Sequence, residues 1–132
     1  MASIQKSVDI AVGAAAVWDA VRDVGQLHTR IAPGLVSDVV MEADGQARVV
    51  TFANGMVLRE PILGIDDDLM RLAWTAQSDQ WTHHNASLVV TDLGAGHSRT
   101  TWTADVLPHE AGETIATIID YGLGAMKAHL EG

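Results

Sequence analysis

At Pro108 the hydrophobic period of this chain switches from that of a strand to that of a helix, and no other feature restricts the fold as much. Before it, strand-like runs follow one another at short intervals: LVSDVVME, QARVVTFA, MVLREPILGI, LMRLAWTA, HHNASLVVT and SRTTWTADV. After it, Ile115, Ile118, Ile119, Met126 and Leu130 fall along one stripe of a helix running from about residue 110 to the C-terminus. Glu110 and Glu113 near its start and Lys127 and His129 near its end match the helix dipole. A large sheet and one long helix can both bury their apolar faces only if the sheet curls around the helix.

The turns make the sheet antiparallel. Asp44-Gly45, Asn54-Gly55, Asp66-Asp67-Asp68 and Gly94-Ala95-Gly96 separate the runs, and Asn-Gly between apolar runs is a strong hairpin signal. Upstream, SIQKSVDI alternates, with Ile4, Val8 and Ile10 on one face and Lys6 among them, which predicts a first strand. Val17, Trp18, Val21 and Val24 then recur at helical spacing up to Gly25, and QLHTRIAPG holds a second short helix stopped by Pro33-Gly34. The prediction is an α+β fold: a curved antiparallel sheet of about seven strands around a long C-terminal helix, with two short helices after the first strand. Its 132 residues fit a single domain, residues 1–132.

Composition excludes several functions. A net charge of −9 with only 8 Lys and Arg argues against a nucleic-acid footprint or adhesion to an anionic membrane, since both need clustered positive charge. The absence of cysteine removes disulfides, thiolate catalysis and cysteine-based metal sites. MASIQKSVDI lacks the apolar run of a signal peptide, and no stretch approaches the roughly 20 apolar residues of a membrane helix. A cytoplasmic protein without membrane insertion is the expectation. His28, His97, His109 and His129 show no ligand spacing, and His83, His84 and Asn85 alternate between faces, so no metal and no cofactor are expected. Ser7, Ser37, Ser78, Ser87 and Ser98 lack the glycine context of a nucleophile elbow, and no glycine loop suits a phosphate.

Several segments carry a family resemblance. AVWDAVRDVGQLHTRIAPG resembles the first helices of the SRPBCC, or START-related helix-grip, superfamily, in its polyketide cyclase/dehydrase and lipid-transport-like branch. GQARVVTFANGMVLREPILGIDDD is similar to that superfamily's middle hairpin, and TTWTADV to its last strand. HHNASLVV is similar to the strand between, with Ala86 where an aromatic usually follows the asparagine. The resemblance implies the helix-grip fold and a cavity between sheet and helix for an apolar or amphipathic molecule.

Alternation assigns the candidate cavity wall. Leu58, Glu60 and Ile62 share a face of one strand with Met56; Leu72 and Trp74 follow with Met70; then come His84, Ala86 and Leu88, and Trp102 on the last strand. Ile118, Gly122 and Met126 complete it from the helix. A mid-helix glycine costs about 1 kcal/mol against alanine, a cost tolerated where the backbone must approach the sheet or a ligand closely. A two-residue hairpin at Asn54-Gly55 would set Glu60 opposite Val49, with Arg48 on the other face; a three-residue loop with a bulge would reverse this. Glu60, a carboxyl among apolar neighbours, and His84 are the candidate acid/base residues, because burial shifts such groups toward neutrality. Lys6 either snorkels from the sheet edge or meets an anionic ligand head.

Three functions follow as expectations: binding of a lipid- or polyketide-like small molecule in the cavity, with a hydrophobic small molecule as partner; cyclase/dehydratase chemistry through Glu60 and His84; or a homodimerising module using Val50, Phe52 and Val57 on the face away from Glu60.

Overall fold

The computed structural model describes residues 1–132. Its elements run β1 (Ala2–Ile10), α1 (Ala14–Arg22), a 3₁₀ turn (Val24–Gln26), a π-helical turn (Leu27–Ile31), β2 (Val36–Met41), β3 (Ala47–Phe52), β4 (Val57–Asp66), β5 (Arg71–Trp74), β6 (His83–Gly94), β7 (His97–Leu107), a 3₁₀ turn (His109–Ala111) and α2 (Gly112–Glu131). The strands form one antiparallel sheet in the order β1-β7-β6-β5-β4-β3-β2. Long-range pairing therefore joins only β1 to β7; every other neighbour is a consecutive strand. This is the helix-grip arrangement that the switch of period predicts, with a π-turn where the second short helix was expected.

The stripe on α2 buries Ile115, Ile119, Gly122, Leu123 and Met126 against the sheet. Gly122 owes its identity to a side chain. A Cβ at this position would lie 2.5 Å from Cζ3 and 3.2 Å from Cη2 of Trp102, so the helix backbone passes directly over the indole of β7. Trp102 in turn meets Trp74 edge to face, with ring centroids 5.5 Å apart. Ala86 and Ala104 stand in register beside Trp74, small residues where an aromatic would compete with that indole for space. Lys6 reaches Asp120 of α2 at 2.8 Å and is a surface tie between β1 and the helix, away from the cavity.

The hairpin between β3 and β4 takes the longer of the two loops. Thr51 pairs with Val57, Phe52 N–H donates to Met56 O at 2.8 Å, and Ala53, Asn54 and Gly55 form a three-residue loop. A type I′ turn needs positive φ at Asn54 and at Gly55, but only Gly55 has it, at 91°. Asn54 instead accepts the Met56 N–H on Oδ1 at 3.0 Å, a local bond that closes the wider loop. The added residue shifts the register by one, so Arg48 opposes Glu60 and Val50 opposes Leu58. Arg48 therefore shares the inner face with Glu60, the outcome that the three-residue alternative offered. The expected dimer patch of Val50, Phe52 and Val57 falls, because Val50 and Phe52 are buried in the core while only Val57 is exposed.

No helix is long and apolar enough to cross a membrane. The close approach at Gly122 gives a direct test. Gly122→Ala gains intrinsic helix propensity of about 1 kcal/mol but forces the Trp102 ring aside, at about 1–3 kcal/mol. A net loss in urea-unfolding free energy is expected for Gly122→Ala, and Trp102→Phe in the same chain should shrink that loss.

Candidate functional site

Beneath α2 the curved sheet leaves a cavity lined by 23 residues, 18 of them hydrophobic. Its empty volume is ≈ 870 Å³ counted out to the solvent at its mouth.

Of the expected wall residues, Leu58, Glu60, Leu72, Trp74, His84, Leu88, Trp102, Ile118, Gly122 and Met126 line the cavity. Ile62 and Ala86 do not. Ile62 precedes an irregularity in the β4–β5 register and is only partly buried, while Ala86 is buried beside the Trp74 indole. Arg48 and Phe52 also line the cavity: alternation alone left the hairpin open between two registers, and the three-residue loop is the one that turns both side chains inward. Leu27, Ile31 and Leu35 also line the cavity, from the irregular segment between α1 and β2, where no period marks a face, and Val36 joins them from the first position of β2. Their apolar character in an otherwise polar connection was the available signal.

One cross-strand row of the sheet carries the polar groups. Arg48 opposes Glu60; backbone bonds between Arg59 and Gln77 and between Thr75 and Pro61 then set Glu60 beside Ala76, and Ala76 lies beside His84. Arg48 donates from Nε to Glu60 Oε1 at 2.9 Å and from Nη1 to the Val24 carbonyl at 3.1 Å, and its guanidinium lies 5.8 Å from the Trp74 ring centroid. The side chains of Arg48 and Glu60 are 4% and 7% exposed; the other seven ion pairs are at the surface, where such pairs contribute little. Burial pushes the Glu60 carboxyl above its ordinary value, against the opposing pull of Arg48's charge and hydrogen bond.

His84 is held differently. Its Nδ1 accepts the Ala76 backbone N–H at 2.9 Å, and its ring lies against the Trp81 indole at 5.7 Å between centroids. Trp81 donates its own N–H to Ala76 O at 2.7 Å. Burial is the main cause that lowers the imidazole to about 4, aided by the charge of His83, so near neutral pH the ring is uncharged. With Nδ1 an acceptor, its proton sits on Nε2. Glu60 and His84 face one cavity but make no hydrogen bond to each other: the extended segment after β5 that carries Ala76 separates them, and two strand spacings are about 10 Å between backbones.

No group of three or more His, Cys, Asp or Glu side chains converges as a metal site would require. The one other polar atom of note in the wall is Trp102 Nε1, which is buried without a hydrogen-bond partner.

Comparison with known proteins supports the architecture. The family model described as "Polyketide cyclase / dehydrase and lipid transport" matches residues 1–131. None of the curated proteins matches the sequence. Among solved structures, an uncharacterised protein from Bacillus thuringiensis superposes with a TM-score of 0.86 at 16% identity, covering 96% of this chain and 97% of that one. A protein from Thermobifida fusca is 28% identical with a TM-score of 0.79, covering 96% and 91%. The ZhuI aromatase/cyclase from a Streptomyces species gives 0.79 at 16% identity, covering 96% and 92%.

Two outcomes test the site's energetics. Arg48→Met strands a buried carboxylate and should cost about 3–5 kcal/mol of unfolding free energy, whereas Arg48→Met with Glu60→Leu should return to within about 1 kcal/mol of wild type, because the charge has gone with its partner. The His84 pKa falls on folding, so the unfolded chain takes up the proton first. The stability it supplies is complete above about pH 6.5 and drains away as pH falls toward 4, reaching of order 3 kcal/mol. His84→Asn keeps an acceptor for the Ala76 N–H, and chemical unfolding of this variant should lose that part of the pH dependence.

Proposed function

The chain belongs to the polyketide cyclase/dehydrase and lipid-transport family of the SRPBCC superfamily, and from that premise we propose that its cavity binds a hydrophobic or amphipathic small molecule. The observation that carries this reading is the wall itself: 18 apolar residues of 23 surround one cross-strand row of polar groups. Apolar walls supply affinity without direction, and a few fixed polar groups set orientation. In this reading Leu58, Leu72, Leu88, Ile118 and Met126 grip the ligand body, Trp74 and Trp102 offer aromatic faces, and Gly122 seats the Trp102 ring. Glu60 fixes Arg48, and His84 presents Nε2–H to the ligand. Ile62 and Ala86 act behind the wall.

A second reading is a cyclase/dehydratase-type enzyme with Glu60 and His84 as acid and base. The observation favouring it is electrostatic: burial pushes the carboxyl up and the imidazole down to about 4, which reverses the usual order of proton affinity between two groups of one cavity. Against it, Glu60 is engaged by Arg48, and His84 is separated from it by the Ala76 segment. Binding without turnover therefore has the stronger support.

The test is ligand-induced stabilisation of the wild type beside Ile118→Trp, which fills the cavity from a half-buried position of α2. A ligand at about 100 times its Kd adds roughly 2.7 kcal/mol, or about 10 °C in Tm for a domain of this size. Bicyclic and tricyclic aromatics and short lipids should include hits for the wild type that Ile118→Trp loses. Hits shared equally by both proteins, or none in either, would sink the proposal.

A further inference from the structure

We propose that the ligand of this cavity is an apolar alcohol or phenol, and that the Arg48–Glu60 pair reads its hydroxyl: Glu60 Oε2 accepts the hydroxyl hydrogen, and Arg48 Nη2 donates to the hydroxyl oxygen. The proposal rests on the binding reading above and deepens it.

The ion pair in the wall is only half closed. Elsewhere in the chain Arg59 grips Glu42 with two parallel bonds, Nε to Oε2 and Nη2 to Oε1, both at 2.7 Å. Arg99 grips Asp9 through the same two nitrogens at 2.7 and 3.1 Å. Both forks stand at the surface, where such pairs contribute little. In the interior, where a carboxylate needs its remaining lone pairs met, the fork is left open. Arg48 bonds Oε1 from Nε alone and turns Nη1 to the Val24 carbonyl. Nη2 and Oε2, the two atoms that would close the fork, make no hydrogen bond, and neither is sealed from a water-sized group. Both side chains line the cavity and are otherwise buried, so the surface these atoms keep faces it.

An open donor beside an open acceptor specifies what can enter. Each is one carbon removed from an atom of the 2.9 Å contact, so the two lie close together. A hydroxyl satisfies both through a single oxygen, which accepts from Nη2 while its hydrogen goes to Oε2. It makes the bonds that a water would make and carries an apolar body into the 18 hydrophobic residues of the wall. A ketone or ether serves Nη2 alone and leaves the carboxylate oxygen unpaired. A ligand carboxylate meets Oε2 as a like charge, and a ligand ammonium meets the guanidinium in the same way. No second buried side chain competes for the hydroxyl hydrogen. His84 offers only the donor Nε2–H, because the Ala76 N–H occupies Nδ1. Asp23, the other carboxylate of the wall, is 43% exposed and takes Arg30 at 3.0 Å.

The experiment measures the affinity of the full chain for naphthalene, 2-naphthol, 2-methoxynaphthalene and 2-naphthoate by calorimetry, and follows the assigned side-chain carboxyl ¹³C resonance of Glu60 by NMR. The naphthol should bind about 10- to 100-fold more tightly than naphthalene or the ether, the value of a hydrogen bond to a charged group, and should move the Glu60 resonance further than either. Glu60→Gln keeps the shape and an acceptor for Arg48 but sets an NH₂ where Oε2 stood, so the naphthol should lose its advantage over the ether. Should that variant fold poorly, the wild-type ranking and the Glu60 resonance decide. Equal affinity for naphthol and ether, tightest binding of the naphthoate, or a naphthol preference that survives Glu60→Gln or leaves the Glu60 resonance unmoved would each overturn the proposal and leave cavity binding standing. If none of the four compounds binds, both readings fall.

Discussion

A guanidinium and a carboxylate taken out of water persist in a fold only when each has the other. Removing either leaves a charge whose desolvation nothing repays. Arg48 and Glu60 meet this condition at 2.9 Å in the interior of the sheet, and much of the surrounding architecture bears on that contact. The pair exists because the loop after Phe52 holds three residues: one fewer would place Arg48 on the outer face and leave Glu60 alone in the core. The guanidinium also reaches the Val24 carbonyl, which fastens the irregular connection after α1 to the sheet. A buried pair adds little net stability compared with apolar residues of the same volume. Its effect is to make the β3–β4 register unique, since any slip would strand one of the two charges.

From that pair a line of contacts runs to the helix. Arg48 lies against Trp74, Trp74 meets Trp102 edge to face, and Trp102 fills the hollow that Gly122 leaves in α2. The helix is therefore seated on an indole instead of on the sheet backbone, and the space beside that indole is the cavity. Large rings at Trp74 and Trp102, small residues at Ala76, Ala86 and Ala104, and a glycine in the helix are one packing solution. Bulk is concentrated in two side chains so that volume can stay open elsewhere.

Sequence alone determined the architecture. The switch of period at Pro108, the spacing of turn signals and the stripe Ile115, Ile119, Met126 fix a curved antiparallel sheet around one helix, because burial of apolar faces permits no other layering. The same alternation placed Leu58, Glu60, Leu72, Trp74, His84, Leu88 and Trp102 inward, since side-chain direction along a strand is a local property. Tertiary structure decided what local rules leave open. The hairpin register depended on whether Asn54 would adopt positive φ or bond to the Met56 N–H, a choice that alternation leaves open, and the loop formed puts Arg48, Val50 and Phe52 inside. The roles of Glu60 and His84 depended on partners distant in sequence: Arg48 for one, the Ala76 backbone and Trp81 for the other. Leu27, Ile31 and Leu35 became cavity wall only through the path of a segment with no period to read. Faces are written into a strand; partners across a sheet are settled only when the whole sheet closes on its helix.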